Sequence, residues 1–364
     1  MAHPHGKSVP QTRGEGPGVR DTSGWGEGAL GGAGVQSAQG HHAEPRGGRR
    51  PRYRGGRAVE ARFEVHDPAF RRLIPEDSVV ELVGAGFAFT EGPVWNGDHL
   101  LFSDIPNNRI VRWRRLPEGP EITTFRHPSG FPLGEPTKVE QMGSNGLTLD
   151  RQGRVLACEH GNRRVSRIEA DGDATVLADR FEGKRLNSPN DLVCRSDGRI
   201  YFSDPPYGLV DRTEGKELPY QGVFRIDPDG SLRLMADDFE RPNGLAFSPD
   251  ERTLYVDDSA RRHIRAFDVD DAGNVSNARI FADLAHADEG NPDGMKVDIE
   301  GNVYCAAAGG TWVLNGAGAV LGRIITPDRP ANVGWGDADW KTLFITARPS
   351  LYRLRVAVPG VPVR

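Results

Sequence analysis

Six polar residues with oxygen-bearing side chains recur at matching places in a repeated sequence pattern. Each one opens a short apolar run, and the intervals between them are about 40 to 54 residues. They are Glu91, Asn145, Asn190, Asn243, Asp293 and Asn332. Carboxylate and amide oxygens without Cys or His are hard ligands, which suit calcium, magnesium or manganese. If the six meet in space, they predict a divalent-cation site in which two carboxylates balance the charge.

A plainer explanation exists for each position taken alone. Asn and Asp before Gly are common turn formers, so a single pair such as Asn145-Gly146 or Asp293-Gly294 needs no ion. Six polar residues in register, with Glu and Asp replacing Asn in two of them, favour the metal interpretation. An ion held by two carboxylates and amides would stay electrophilic and keep coordination positions open for water and substrate.

The residues between these positions have the alternation and length of β-strands. After the polar opening comes an apolar run, then a turn such as 150–153, a second strand such as 154–158 and a third such as 164–168. Six such repeats predict an all-β fold, a six-bladed β-propeller with four strands per blade. Two stacked β-sandwiches are the alternative, but a sandwich gives no reason for six repeats in register.

A propeller must also close its ring. The segment 78–83 precedes the first repeat and has strand character, so we expect it to complete the last blade as its outermost strand. In a propeller the first strand of each blade lines the central channel, which would bring the six polar residues together around the axis.

The N-terminal 60 residues differ from the rest in composition. They carry nine Lys/Arg against five Asp/Glu and few large aliphatic residues, so residues 1–60 are predicted to be a disordered Gly/Arg-rich tail and 61–364 the propeller. An RNA-binding arm is a second interpretation of the tail. The formal net charge of −5 leaves the remainder acidic, which argues against nucleic acid as a partner.

Other sequence features restrict the class of protein. No apolar run is long enough for a membrane span or a signal peptide, so we expect a cytoplasmic protein with no membrane partner. The three cysteines, Cys158, Cys194 and Cys305, have neither zinc-ligand nor redox spacing and are expected to be free thiols.

Several stretches together resemble the SMP-30/gluconolactonase family, in particular its bacterial gluconolactonase branch. The resemblance covers about residues 75–356 and rests on 90–95, 144–147, 158–164, 188–191, 203–208, 241–245 and 292–295. It implies a six-bladed propeller, one divalent cation, and hydrolysis of a sugar lactone. Calcium is the expected ion, with magnesium, manganese or zinc as alternatives.

The resemblance also implies roles for individual residues. The metal ligands would be Glu91, Asn190, Asn243 and Asp293, with Asn190 either a ligand or a substrate contact, and Asp293 would also be the catalytic base. The animal branch has Arg two residues before the Asn-Asp pair, where this chain has Ser188, so the accepted lactone is left open.

Loops that leave the second strand of each blade should lie on the metal-binding face and form the pocket wall. These are 104–108, His160 with Arg163, Pro206 with Tyr207, and 257–258. Asn145, His160 and Tyr207 are the predicted substrate-binding residues, although a structural role is an alternative for His160 and Tyr207.

The predicted function is metal-dependent hydrolysis of a sugar lactone, in which the ion polarises the carbonyl and Asp293 activates water. Two other classes remain open at this point. One is a related metal-dependent phosphotriesterase or esterase, because the same ion and carboxylate would serve a phosphoryl centre. The other is a non-enzymatic propeller that binds a protein partner.

Overall fold

The chain folds almost entirely into short antiparallel strands. The structure, a computed structural model, describes residues 56–135, 138–139 and 141–363. Their one α-helix, α1, is Ala69–Leu73. The first thirteen strands are β1 (Arg57–Ala58), β2 (Arg62–Val65), β3 (Glu81–Asn96), β4 (His99–Asp104), β5 (Arg109–Leu116), β6 (Gly119–Arg126), β7 (Ser144–Leu149), β8 (Val155–Glu159), β9 (Arg164–Ile168), β10 (Ala174–Ala178), β11 (Arg180–Phe181), β12 (Lys184–Arg185) and β13 (Leu192–Cys194). The others are β14 (Ile200–Asp204), β15 (Gln221–Ile226), β16 (Leu232–Phe239), β17 (Pro242–Phe247), β18 (Thr253–Asp258), β19 (His263–Val269), β20 (Val275–Asp283), β21 (Met295–Val297), β22 (Val303–Ala307), β23 (Gly310–Leu314), β24 (Val320–Ile325), β25 (Asn332–Gly336) and β26 (Thr342–Arg355).

The strands form several small sheets. Three sheets have four strands each, in the orders β10-β9-β8-β7, β13-β14-β15-β16 and β17-β18-β19-β20. A five-stranded sheet has the order β2-β24-β23-β22-β21, and the largest runs β25-β26-β3-β4-β5-β6 with β1 also paired to β3. The hairpin β11-β12 forms a separate two-stranded sheet. This confirms the predicted nearly all-β class.

Some turns between first and second strands, such as 150–153 and 298–301, use an acidic residue and a left-handed glycine. In the β7–β8 turn, Asp150 accepts hydrogen bonds from the backbone N–H groups of Gln152 and Arg154, both at 2.9 Å. Gly153 has φ +75°, which a residue without Cβ adopts at low cost. The local sequence therefore determines where these hairpins turn.

The long strand β3 joins the two ends of the chain. Its first residues pair with β26, with Glu81 opposite Arg353 and Leu82 opposite Tyr352, while its later residues pair with β4. The predicted closing strand is therefore correct in its partner. It is not outermost, because β1 pairs on its other side through Arg57 and Ala58. Residues 1–55, most of the predicted tail, lie outside the described residues.

The N-terminal segment after β1 is part of the folded domain. Strand β2 adds to the five-stranded sheet beside β24, with Phe63 opposite Ile324. In α1, Phe70 and Leu73 are fully buried in a core cluster with residues of β24, β25 and β26. No helix among the described residues is long and apolar enough to cross a membrane.

Apolar side chains fill the space between neighbouring sheets. Phe344 of β26 stacks on Trp95 of β3, with ring centroids 5.9 Å apart, and meets the edge of Trp113 at 5.3 Å. Such aromatic pairs contribute beyond their buried area. The first strands contact one another in the order β3, β7, β13, β17, β21, β25, and β25 contacts β3 again. This cyclic order brings the polar residues that open the repeats close together.

Candidate metal centre and active site

The glycines after the opening residues allow the first strands to approach closely. The N–H of Gly146 donates to the carbonyl of Asn190 at 2.7 Å, and a Cβ on Gly244 would lie 2.2 Å from the carbonyl oxygen of Asp293. Asn145-Gly146 and Asn243-Gly244 lie inside β7 and β17, so they do not form turns. The turn-former explanation is therefore wrong for these two pairs.

The six polar residues that open the repeats are called the ring below. Three asparagines of the ring form a chain of hydrogen bonds. The Asn145 Nδ2 donates to Asn190 Oδ1 at 2.8 Å, and Asn190 Nδ2 donates to Asn243 Oδ1 at 2.5 Å. The Asn243 Nδ2 donates to Ser259 Oγ at 3.1 Å, and that hydroxyl donates to the Pro292 carbonyl at 2.7 Å. The side chains of Asn145 in β7, of Asn190 just before β13 and of Asn243 in β17 are thus joined to one another.

The two acidic members of the ring are also neighbours. Burial raises the pKa of Asp293 to about 7, although hydrogen bonds with Asn243 and Glu91 act in the opposite direction. Burial raises the pKa of Glu91 well above its usual range, and the charges of Asp293 and Asp191 add to this effect. Two buried carboxyls this close together, both with raised pKa values, would be stabilised in their ionised forms by a cation between them.

Asn332, the last member of the ring, and Asp191, which follows Asn190, lie next to Glu91. The Asn332 Nδ2 donates to Glu91 Oε2 at 2.8 Å and lies 3.4 Å from Asp191 Oδ2. The Gly92 N–H donates to the same Glu91 oxygen at 2.7 Å. Lys296 Nζ lies 3.8 Å from Asp191 Oδ2 and offsets part of the charge. Sequence reasoning placed Asn332 in the ring but gave no role to Asp191 or Lys296.

His160 lies against the asparagine chain and is fully buried. Its Nε2 is 3.2 Å from both Asn145 Nδ2 and Asn190 Oδ1. Burial lowers the pKa of His160 to about 4, so the imidazole is neutral at pH 7. A neutral imidazole with so low a pKa is a poor base for water, and its contacts instead fix the two amides.

Tyr207 lies on the loop 205–208 and is within hydrogen-bonding reach of Ser259, the partner of Asn243. It is half-buried, and burial raises the pKa of its hydroxyl to about 12, while a hydrogen bond with Ser259 acts in the opposite direction. The loop is fixed by Ser188, whose hydroxyl donates to the Pro205 carbonyl at 2.6 Å and accepts the Gly208 N–H at 2.8 Å. Ser188 therefore positions the loop that carries Tyr207.

Three aspartates at the ends of second strands have the same structural role in different sheets. Each accepts hydrogen bonds from the backbone N–H groups three and two residues before a predicted metal ligand, namely Glu91, Asn190 or Asn243. The bonds join Asp104 to Ala88 and Phe89 (3.0 and 3.3 Å), Asp204 to Asn187 and Ser188 (2.7 and 2.8 Å), and Asp258 to Glu240 and Arg241 (2.8 and 3.1 Å). We call this arrangement the aspartate clamp.

The aspartate clamp corrects part of the predicted pocket wall. Asp104 and Asp258 are fully buried and bind backbone amides, so they do not line a pocket. Arg163 is also structural, because its guanidinium donates to the carbonyls of Leu186, Asn187 and Gly215. Asp257 is buried beside the ring, and burial followed by the charge of Asp293 raises its pKa well above its usual range.

The chemistry of the ring fits a hard divalent cation. Glu91 and Asp293 supply two carboxylates, and Asn190 and Asn243 supply amide oxygens. Among the described residues, no three His, Cys, Asp or Glu side chains converge as a metal site, so such a site would depend on the amides. The observation in this structure that fits an ion is the burial of two neighbouring carboxyls, Glu91 and Asp293, which raises the pKa of both.

A nearly all-β chain of small sheets whose first strands meet around a polar centre has the architecture of propeller proteins. The SMP-30/gluconolactonase/LRE-like region family matches residues 89–348, and the chain belongs to this family. It is 36% identical to a gluconolactonase of Zymomonas mobilis over 310 residues, which is 80% of this chain and 85% of that protein. It is 28% identical to a pentonolactonase of Haloferax volcanii, over 78% of this chain and 97% of the relative.

A solved structure shows the same fold. A gluconolactonase from Xanthomonas campestris superposes with a TM-score of 0.74 at 35% sequence identity, over 85% of this chain and 99% of that one. The family resemblance read from the sequence is thereby confirmed.

Proposed function

We propose that the chain is a hydrolase of sugar lactones that works with one divalent cation, most simply calcium, held by Glu91, Asn190, Asn243 and Asp293. The observation that carries this proposal is the proximity of these four side chains, which lie in or just before neighbouring first strands. The activities named for the gluconolactonase and pentonolactonase relatives support the substrate class.

The proposed architecture is a six-bladed propeller. If β3 is counted twice, once beside β26 and once beside β4, the sheets divide into six units, five of four strands and one of five because β2 adds to β24. One unit is then β25, β26, the first half of β3, and β1. The cyclic contacts of the six first strands support this count. A closed ring leaves few free strand edges.

The chemistry follows from the groups around the centre. A divalent cation, when bound, supplies a Lewis acid that stabilises negative charge on the lactone carbonyl oxygen. Asp293 takes a proton from the attacking water at a carboxylate oxygen and returns it to the ring oxygen as the ester bond breaks. Its half-buried position leaves it open to water, whereas Glu91 is 2% exposed. We therefore assign Glu91 to holding the ion and Asp293 to both roles.

The remaining groups orient the substrate. Tyr207 can donate to a sugar hydroxyl from its fixed loop, while Asn145 and His160 form the inner side of the site. Because His160 is fully buried and already bonded to the amides, we propose that it acts on the substrate through Asn145 and Asn190.

A panel assay on metal-depleted protein tests the proposal. Hydrolysis of glucono-1,5-lactone and of a phosphotriester is measured after restoring calcium, magnesium, manganese or zinc in turn. We expect lactone hydrolysis that depends on the added ion. Phosphotriester hydrolysis without lactone hydrolysis would favour the phosphotriesterase class, and full activity in the presence of chelator would refute a metal-dependent reaction.

Two variants separate the roles of the acids. Asp293→Asn should lower kcat by at least about 100-fold even at saturating calcium, because Asn retains an oxygen but cannot accept the proton. Glu91→Gln should weaken calcium binding, measured by calorimetry, and recover activity as calcium is raised. Asp268→Asn, an exposed acid paired with Arg279, is the matched control. Recovery of Asp293→Asn at high calcium would make Asp293 only a ligand.

A further inference from the structure

A cavity lies beyond the ring, in the direction in which the first strands run. All six first strands line it with residues two to four positions after the ring member of the same repeat, namely Val94, Leu147, Leu192, Ala246, Val297 and Trp335. Because a strand rises about 3.3 Å per residue, the cavity begins roughly 7–13 Å from the ring. Its volume of about 90 Å³ is room for several water molecules. The ring and the cavity are therefore two parts of one channel between the first strands.

The last described residues of the chain form part of the cavity wall. Val361, Pro362 and Val363 line it together with the first strands. We call residues 359–363 the C-terminal strap. Val363 also packs on the apolar cluster that contains Val94 of β3 and Leu147 of β7. The end of the strap is thus held on the side of the channel formed by β3 and β7.

The beginning of the strap is held on the other side of the channel. The Ile299 N–H donates to the Pro359 carbonyl at 3.0 Å, and the Val361 N–H donates to the carbonyl of Val297, the last residue of β21, at 3.1 Å. In the cyclic order of the first strands, β7 and β21 are opposite each other, with two strands between them on either side. The strap therefore crosses the end of the channel.

Close packing on Trp335 fixes the middle of the strap. The Gly360 N–H donates to the Trp340 carbonyl at 2.9 Å. A Cβ on Gly360 would lie 2.1 Å from Cδ2 of Trp335, a residue that is 4% exposed. A larger residue at position 360 would therefore have to move either the strap or the buried indole.

Strand β21 connects the strap to the ring. It has three residues, Met295–Val297, and begins two residues after Asp293. Lys296, in its middle, lines the cavity and places Nζ 3.8 Å from Asp191 Oδ2. A displaced strap would release the end of this short strand and admit water to Lys296.

We propose that the C-terminal strap closes the channel behind the ring and holds β21, and with it Asp293, in position. The effect on turnover rests on the proposed lactonase function, whereas the closure of the channel does not. Water that enters from behind would weaken the interactions among the buried charges of the ring, and a released β21 would misplace Asp293. The alternative is that the strap only adds apolar contacts to the core.

Two variants displace the strap in different ways. One is a chain that ends at Val358, and the other is Gly360→Val in the full-length chain. Gly316→Val is the matched control, because Gly316 lies in the exposed turn between β23 and β24, where the nearest neighbour of a Cβ is 3.5 Å away. Every measurement is made well below the unfolding midpoint of each protein.

The first measurement is the rate at which a thiol reagent labels each cysteine at pH 8, followed by mass spectrometry. Cys194 lines the cavity, whereas Cys158 and Cys305 are fully buried in strands of other positions. We expect labelling of Cys194 to be at least about 10-fold faster in both variants than in the wild type and in Gly316→Val. Cys158 and Cys305 should stay unlabelled in all four proteins.

The second measurement is kcat and KM for glucono-1,5-lactone at saturating calcium. We expect both variants to lower kcat by about 10-fold and to leave KM within about twofold, because the strap acts on the position of Asp293 from the side of the ring remote from Tyr207. Gly316→Val should change neither value.

Each other outcome has a defined meaning. Labelling of Cys194 at the wild-type rate in both variants would overturn the closure. A lower unfolding midpoint with unchanged labelling and unchanged kcat, or a failure of both variants to fold, would make the strap part of the core alone. Faster labelling with unchanged kcat would retain the closure and refute the effect on Asp293. If the wild type hydrolyses no lactone, the proposed function fails, and the labelling of Cys194 still decides the closure.

Discussion

Replacing Asp204 by Asn should make the stability of the protein less dependent on pH. Asp204 is fully buried at the end of β14, where its two oxygens accept the N–H groups of Asn187 and Ser188. Burial raises the pKa of Asp204 to about 7, and the two hydrogen bonds oppose this only in part. Asn has nearly the same shape but carries no ionisable proton.

The sign of the pH dependence follows from which state of the protein, folded or unfolded, binds the proton on Asp204 more tightly. The pKa of Asp204 is about 7 in the folded protein, against the ordinary value of 3.8 in the unfolded chain. The folded state therefore holds the proton between these values, and its stability falls as pH rises. Each pH unit is worth roughly 1.4 kcal/mol, so the wild type should lose about 3 kcal/mol relative to Asp204→Asn between pH 5 and pH 8.

Denaturant unfolding of both proteins at pH 5, 6, 7 and 8 measures this difference. Other acids, including Glu91 and Asp293, also titrate over this range, but their contribution cancels when wild type and variant are compared at each pH. A difference that stays constant would show that Asp204 has the same pKa in both states. A difference that grows in favour of the wild type as pH rises would show that the amide hydrogen bonds outweigh burial.

Three further outcomes are expected. Removing residues 1–55 should leave lactone hydrolysis and the denaturation midpoint unchanged, because the first paired strand in the described part of the chain is β1; a loss of either would make that segment part of the enzyme. The folded protein should not react with a thiol reagent at pH 8, since burial raises the pKa of Cys194 to about 12 and those of Cys158 and Cys305 well above their usual range; all three should react after unfolding. Gly208→Ala should reduce kcat/KM more than stability, because its Cβ would lie 2.7 Å from that of His160 and 2.8 Å from that of Ser188, which displaces the loop of Tyr207; an unchanged kcat/KM would contradict a substrate-positioning role for this loop.

The sequence was sufficient for features that depend on local pattern. Strand alternation and turn residues repeat in every unit, so the all-β class and the pairing of β3 with β26 were predictable. The short pieces β1, β2 and α1 were missed, because two to five residues carry little signal. Tertiary contacts hold them in place, for example the burial of Phe70 beneath the last sheets.

The site was predictable only where a residue occupies a repeated position. Asn332 bonds Glu91 across 241 residues of sequence, and Ser259 bonds the carbonyl of Pro292 across 33. No local pattern reports such contacts, since they arise when the ring closes. Two acids at the ends of second strands were assigned a wrong role for a related reason. Asp104 and Asp258 were assigned to the pocket wall, whereas their carboxylates are buried and bind backbone amides.

The distribution of the aspartate clamp supports different roles for the four proposed ligands. The clamp holds the backbone before Glu91, Asn190 and Asn243, whose side chains are 2%, 3% and 6% exposed. Strand β22, which pairs beside β21 in the unit of Asp293, ends in Ala307 and supplies no such acid. A ligand benefits from a fixed position, because coordination depends on geometry. A proton acceptor must instead meet water and then the leaving oxygen at different points. The one proposed ligand without a clamp, half-buried rather than buried, is therefore the one best placed to transfer the proton.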